Sequence, residues 1–282
     1  MMLAIRHTLD GLRQPLLAGF DQSWKRDLFA LAFGIVLFLY PFGLLFVAGG
    51  VLPEPYSWTA SVVILFNALA ALFSEMRAAS TSRVLSTAAV LTLLLYCIEL
   101  LGVSTGLPFG AYSYTDVLGF RLLGVPVAIS LAWYTTIVLS WRIAEGLVGP
   151  GHRARRVTVS LGTALLTLAL DLALEPMAAE IKGYWAWVGG TVPPQNYLSW
   201  FGVSMVAVFV LAGREGASKP QHGQLFACGA ILYGMQFVLF SLTAIMHGNL
   251  VPVVSALGVI TGVVIGTRFV RRLDDLSRSR TE

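Results

Sequence analysis

The chain has 282 residues, of which 56% are hydrophobic and 12% are charged, and its mean hydropathy is +0.76. Soluble proteins carry about 25% charged residues, so this composition predicts an integral membrane protein and excludes an ordinary soluble enzyme. The formal net charge of +4 does not indicate a nucleic-acid partner, because the lysines and arginines lie between apolar runs rather than on one face.

Eight apolar runs follow one another along the chain. Each is close to the roughly 20 residues that a helix needs to cross about 30 Å of hydrocarbon. The runs do not alternate in hydrophobicity as the strands of a membrane barrel do. They therefore predict an all-α, polytopic membrane helix bundle of about eight transmembrane helices, at residues 28–49, 58–74, 84–103, 125–148, 157–179, 198–213, 225–246 and 250–267.

The positive charges predict the orientation of this bundle, since Lys and Arg are enriched in cytoplasmic loops. With the N-terminus inside, all of the 19 Lys and Arg residues except Arg121 and Lys182 fall on cytoplasmic segments. Both termini are therefore expected to be cytoplasmic, with an N-terminal segment at 1–27, a single transmembrane domain at 28–267 and a tail at 268–282. The N-terminal segment lacks the apolar core of a signal peptide and is expected to form a surface helix or a solvated tail.

Three carboxylic acids at hydrocarbon depth are the main indication of function. An ionisable side chain inside a membrane helix costs roughly 2.5–3.5 kcal/mol on insertion scales, so it usually faces a polar pocket with a function. Asp171 and Glu175 are four residues apart and share one helix face, and Glu99 lies at a similar depth on another helix. We expect them to converge, in the outer half of the bilayer and with nothing comparable in the inner half, on the polar and aromatic residues of two loops: Phe109, Tyr112, Tyr114, Asp116, Trp185, Trp187 and Asn196.

Such a cluster suits acid chemistry on an alkene. Carboxyl groups crowded in a low dielectric favour the protonated form, which can act as a general acid, and aromatic ring faces stabilise a cation. Two simpler interpretations stay open: Asp171 or Glu175 belongs to a structural hydrogen-bond network, and the loop tyrosines and tryptophans are interfacial anchors, as we expect for Trp141 and Trp200. The chain has no metal-ligand spacing, dinucleotide fingerprint or phosphate loop, so neither a metal nor a cofactor is expected.

Several blocks of sequence, in a fixed order, carry a family resemblance. They are IELLGVSTGLPFGAYSYTDVLG at 98–119, GVPVAISLAW at 124–133, DLALEPMA at 171–178, GYWAW at 183–187 and NYLSWF at 196–201. Together they resemble the carotenoid 1',2'-hydratases of the CruF type, a membrane family that includes bisanhydrobacterioruberin hydratase. The resemblance covers about residues 95–213.

The resemblance implies an enzyme that adds water across the terminal 1',2' double bond of an acyclic carotenoid end group, for example of lycopene or γ-carotene. The lipophilic substrate would enter from the bilayer, in the cell (inner or plasma) membrane of a prokaryote, and other carotenoid-pathway enzymes are candidate partners. Two rivals remain: a carotenoid end-group cyclase, which uses the same protonation, and a proton-coupled transporter, which usually shows repeated halves that are not found here.

Placement suggests a role for each candidate residue. Asp171 or Glu175 is the expected acid, and Glu99 or Asp116 is expected to position or deprotonate the water. The expected substrate-binding residues are Phe109, Tyr112, Tyr114, Trp185, Trp187 and Asn196.

Overall fold

The computed structural model describes residues 2–51, 56, 58–149, 155–212 and 219–279. These residues form eight α-helices, which confirms the predicted all-α polytopic bundle. The helices are α1 (Met2–Gly43), α2 (Thr59–Ala78), α3 (Thr81–Thr105), α4 (Val127–Val148), α5 (Arg155–Glu175), α6 (Pro194–Ala212), α7 (Lys219–Met246) and α8 (Val251–Ser279).

Seven helical segments of the described chain are long and apolar enough to cross a membrane. They are Ser23–Ala48, Thr59–Ala78, Thr81–Thr105, Val127–Val148, Arg155–Ile181, Gly223–Met246 and Val251–Phe269. The remaining helix, α6, begins with the polar sequence Pro-Gln-Asn-Tyr. Only a short turn separates α7 from α8, as the sequence predicts.

Two helices continue through the predicted segment boundaries. α1 begins at Met2 and runs without interruption past residue 27, and α8 continues past residue 267 to Ser279. The boundaries of the apolar runs therefore do not coincide with the ends of these helices, because hydropathy falls where the helix leaves the hydrocarbon, whereas the backbone hydrogen bonds continue.

α4 is the central helix of the bundle. Most of its side chains are buried, and it packs against α2, α3, α5 and α7. Lipid tails are as apolar as leucine, so hydrophobicity does not decide which side chains face inward in a membrane bundle, and small and polar residues collect at helix contacts instead. α4 follows this rule, since its buried residues include four hydroxyl side chains, of Ser130, Thr135, Thr136 and Ser140.

At one end of the bundle, called the loop end below, lie residues 106–126 and 182–193. Strand β1 (Tyr112–Tyr114) pairs with the antiparallel strand β4 (Trp185–Trp187), and β2 (Arg121–Leu122) pairs with β3 (Val125–Pro126). Sequence patterns did not predict these strands, which are too short for a detectable alternation.

A π-helical segment, Pro176–Ile181, leads from α5 into β4. Proline has no backbone N–H and cannot continue the α-helical bonding to the carbonyl four residues before it. After Pro176 the backbone forms two longer-range hydrogen bonds, from Lys182 N to Met177 O and from Tyr184 N to Ala178 O. Pro176 is thus the local reason why the chain turns toward β1 just after the two acids of α5.

Buried charges also lie at the opposite end of the bundle, so the expectation that only the loop end holds such a cluster was wrong. Arg142 on α4 donates through Nε and Nη2 to both carboxylate oxygens of Glu75 on α2, and through Nη1 to Glu145 at 2.5 Å. Glu145 also accepts from Arg155 at 2.7 Å. The charge pattern assigned Arg142 to a cytoplasmic loop. Its partner on α2 is 67 residues away in the chain, so no sequence pattern indicates the ion pair.

Candidate active site

Four polar side chains of three helices form the carboxyl cluster at the loop end. Glu99 comes from α3, Asp171 and Glu175 come from α5, and Asn196 comes from the start of α6. Each of them is at most 2% exposed. The predicted convergence of these acids is therefore present in the structure.

Two tyrosine hydroxyls hold Glu99. Tyr112 and Tyr114 donate to its Oε2 atom at 2.5 and 2.7 Å. Alternate residues of a strand lie on the same face, which is why β1 directs both phenols to one carboxyl group. Gly102, three residues after Glu99 on α3, leaves room for this contact, since a Cβ atom there would lie 2.8 Å from the Tyr112 hydroxyl oxygen.

Burial and the neighbouring Glu99 charge both raise the pKa of Tyr112 and Tyr114 well above the usual value. A raised pKa keeps a phenol in its neutral, protonated form until high pH. Both hydroxyls therefore remain hydrogen-bond donors to Glu99 throughout the physiological range.

Glu175 accepts three N–H donors. Trp185 and Trp187 donate through Nε1 to its Oε2 atom at 3.2 and 3.1 Å, and Asn196 Nδ2 donates to Oε1 at 3.0 Å. Donors of this kind favour the carboxylate form over the acid. The indole N–H groups of β4 are therefore directed to a buried acid.

Asp171 has far fewer partners than Glu175. Its Oδ2 atom accepts from Asn196 Nδ2 at 3.2 Å, while Oδ1 is buried without a partner among the described residues. The single amide of Asn196 thus links the two acids of α5. An unpaired buried carboxylate oxygen is costly, so of the three acids Asp171 is the one whose surroundings best suit a protonated carboxyl.

Strand pairing joins the two halves of the cluster. Tyr112 lies opposite Trp187, with ring centroids 5.0 Å apart, and Tyr114 lies opposite Trp185, with centroids 6.0 Å apart. The phenols that hold Glu99 therefore pack directly on the indoles that hold Glu175.

Asp116 does not join this cluster. Its side chain is 89% exposed and forms an ion pair with Arg121. A short 3₁₀ helix at Asp116–Leu118 follows β1 and turns the carboxylate toward solvent. The sequence grouped Asp116 with the buried acids because it lies only two residues after Tyr114, and chain proximity does not specify the direction of a side chain.

Phe109 contributes apolar packing, not a polar group, beside the carboxyl cluster. It is 1% exposed, stacks on Trp200 with centroids 4.8 Å apart and meets Tyr112 edge-on. Trp200 and Trp141 are 2% and 5% exposed, so the expectation that these two tryptophans are interfacial anchors was wrong. Trp141 stacks on the Arg142 guanidinium group instead.

An apolar cavity of about 150 Å³ shares aromatic wall residues with the carboxyl cluster, but none of the three acids is among the described residues that line it. Of the predicted substrate-binding residues, Trp185 lines this cavity. A single water needs only about 10–15 Å³ of such space, so this cavity can hold a part of a larger apolar molecule. Two of its wall residues also touch acids: the Trp185 indole donates to Glu175, and Trp133 neighbours Glu99. The polar side chains Asn67, Thr135 and Gln236 also line the cavity.

Sequence reasoning missed Trp133, Gly102 and Gln236. Gln236 could have been found by the signal that revealed the acids, because it is a lone amide inside an apolar run. No group of three or more His, Cys, Asp or Glu side chains in the described part of the chain is placed to hold a metal ion.

Comparison with known proteins identifies relatives of this chain. The model of a family described as "Carotenoid biosynthesis protein" matches residues 59–265. The chain is also 32% identical over 210 residues to the bisanhydrobacterioruberin hydratase of Haloarcula japonica, an alignment that covers 72% of this chain and 70% of that protein. No solved structure matches the chain significantly.

Proposed function

The chain belongs to the family of carotenoid biosynthesis proteins, and from that premise we propose that it is a carotenoid 1',2'-hydratase. It adds water across the terminal double bond of an acyclic carotenoid end group, such as that of lycopene or γ-carotene, and forms a tertiary alcohol. The name of the Haloarcula relative describes a hydratase, and this supports the reaction class.

One observation carries the proposal: a buried cluster of three acids and an apolar cavity share two aromatic residues. Trp133 and Trp185 belong to the cavity wall, and each also neighbours an acid. Protonation of an alkene needs an acid in an apolar site, and the cation that forms is stabilised by aromatic ring faces.

The reaction has two steps in this proposal. The π electrons of the double bond form a C–H bond at C2' with the acidic proton, which leaves a tertiary cation at C1'. A water oxygen then bonds to C1' and loses one proton to a carboxylate, and return of a proton to the donor acid completes the cycle.

The hydrogen bonds favour a particular assignment of roles within that cycle. Asp171 is the proton donor, because its Oδ1 atom has no partner among the described residues. Glu175, with three N–H donors, has the contacts that best stabilise a carboxylate among the three acids, and its role is to stabilise the cation. Glu99 accepts the proton of the water, with Tyr112 and Tyr114 holding its carboxyl group.

The substrate enters sideways from the bilayer, in the cell membrane of a prokaryote. The cavity is lined by α1 and α7 among other elements. α1 packs along α2, whereas its contact with α7 is concentrated in the π-helical segment Leu44–Ala48. The part of the cavity between α1 and α7 is therefore the proposed entrance for a polyene.

The mass of the extracted pigments tests the function. When the chain is expressed in cells that accumulate lycopene, we expect a more polar carotenoid that is heavier by one water. An isomer of unchanged mass would instead indicate a cyclase. If acyclic and monocyclic carotenes both stay unchanged while the protein is well expressed, the hydratase proposal is wrong and a proton-coupled transporter becomes the better interpretation.

Gly102 offers a test of the Glu99 contact that leaves every polar residue in place. A Cβ atom at Gly102 would lie 2.7 Å from the Phe109 ring and 2.8 Å from the Tyr112 hydroxyl. We expect Gly102→Ala to lower the hydrated product by at least about tenfold, because a hydrogen bond to a charged group contributes about 1.5–3 kcal/mol. Gly202→Ala is the matched control, because a Cβ atom there meets nothing within 4 Å, and equal yields from both variants would contradict the role of Glu99.

A further inference from the structure

Gln236 on α7 presents an unpaired polar atom at the cavity wall. Its Nε2 atom is buried and has no hydrogen-bond partner among the described residues. Several other buried side-chain atoms of the described chain also lack partners, but Gln236 is the residue of that group that lines the cavity. This amide therefore differs from the rest in being next to the space where a ligand fits.

Other polar side chains of the wall are directed elsewhere. Asn67 Nδ2 donates to the carbonyl of Val63 at 2.9 Å, and Thr135 Oγ1 donates to the carbonyl of Leu131 at 2.8 Å. Both bonds lie within the residue's own helix and leave these donors satisfied. The Gln236 amide makes no bond of this kind to its own helix, although a glutamine side chain is long enough to reach a backbone carbonyl there.

An unpaired buried N–H donor costs free energy until an acceptor reaches it. An ordered water needs two to four polar partners, and the wall around Gln236 is mostly apolar. A water next to Gln236 therefore depends on this amide for its position in the cavity. A hydrocarbon end group has no acceptor of its own, so in the proposed reaction the acceptors that can reach Nε2 are the attacking water and then the product alcohol.

We propose that Gln236 is the residue that holds the nucleophilic water in the cavity. This inference rests on the proposed hydratase function. The water accepts a hydrogen bond from Nε2 through one lone pair and attacks C1' with the other. The oxygen becomes the tertiary hydroxyl of the product and still accepts from the same amide, so the contact persists through the step.

Without this contact the cation still forms but is captured less often. It then loses a proton, either from C2', which restores the original double bond, or from a neighbouring methyl group, which gives an isomer of the same mass. In D₂O, loss of a methyl proton always leaves deuterium in the unhydrated carotene, and loss from C2' leaves it whenever the original hydrogen departs rather than the deuteron. The ratio of alcohol to deuterated carotene therefore measures water capture separately from protonation.

The experiment compares the wild-type protein with Gln236→Leu in membranes that contain an acyclic carotene and are incubated in D₂O. We expect the Leu variant to keep deuterium incorporation and to lower the ratio of alcohol to deuterated carotene roughly fivefold, as loss of one hydrogen bond implies. Ser241→Ala is the matched control: Ser241 lies on the same helix and its Oγ atom is also buried without a partner among the described residues, but it does not line the cavity.

Each remaining outcome is decisive. A ratio in Gln236→Leu equal to that of the wild type would overturn the inference and leave the hydratase function standing. A parallel loss of alcohol and deuterium in well-folded Gln236→Leu would also overturn it, since this result indicates a role in substrate fit or packing rather than in water capture. If the wild-type protein forms neither alcohol nor deuterated carotene, it is the proposed function that fails.

Discussion

Replacing Asp171 by Asn is expected to reduce carotenoid hydration by roughly 10²–10⁴-fold, the usual contribution of a general acid. Asn has nearly the same shape as Asp but has no acidic proton to give to the alkene. The Asp171 side chain is 1% exposed and has one hydrogen-bond partner in the described chain, Asn196. The substitution therefore changes the chemistry far more than the packing.

Asp116→Asn is the matched control for this experiment. It makes the same chemical change at an acid that is 89% exposed and paired with Arg121, outside the carboxyl cluster. We expect the pigments of Asp116→Asn cells to equal those of the wild type, with the product quantified by chromatography and mass. Full turnover in Asp171→Asn would remove Asp171 as the acid, and a comparable loss in both variants would show that the structure groups the acids incorrectly.

Arg142→Met is expected to destabilise the protein by about 3–5 kcal/mol, the cost of breaking a buried ion pair by removing one partner. Arg142 donates to both Glu75 and Glu145, and all three residues are at most 8% exposed. Met fills a similar volume but leaves two buried carboxylates without this donor. The helices affected are α2 and α4, which the arginine joins.

The stability of purified protein in detergent, measured by the temperature at which it loses its monodisperse elution profile, checks this prediction. Arg26→Met is the control, because the Arg26 side chain is 70% exposed and its pair with Asp27 is worth at most about 1 kcal/mol. The double variant Glu75→Gln with Arg142→Met is expected to recover part of the lost stability, because it no longer leaves the Glu75 charge buried without its partner. Equal midpoints for Arg142→Met and Arg26→Met would contradict a stabilising role of the buried pair.

The predicted orientation and the segment boundaries remain predictions. The charge pattern that places both termini in the cytoplasm agrees with the positions of Arg121 and Lys182, which both belong to the loop end. Accessibility of cysteines introduced at the two ends of the bundle, probed in intact cells, would measure that orientation directly.

The amino-acid sequence by itself determined the membrane bundle and predicted the depth of its acids. A helix in hydrocarbon satisfies its own backbone hydrogen bonds, so hydropathy along the chain is enough to place eight helices. The four-residue spacing of Asp171 and Glu175 is enough to put both on one face. These are local properties, in which each residue depends only on its neighbours in the chain.

Only the tertiary structure decided which side chains complete the site. Tyr112 meets Trp187 through strand pairing across 75 residues of chain, and that pairing joins the surroundings of Glu99 to those of Glu175. The same packing excludes Asp116, and elsewhere it brings Arg142 to Glu75. Such contacts depend on how helices far apart in sequence lie against one another, and neither hydropathy nor helical period carries that information.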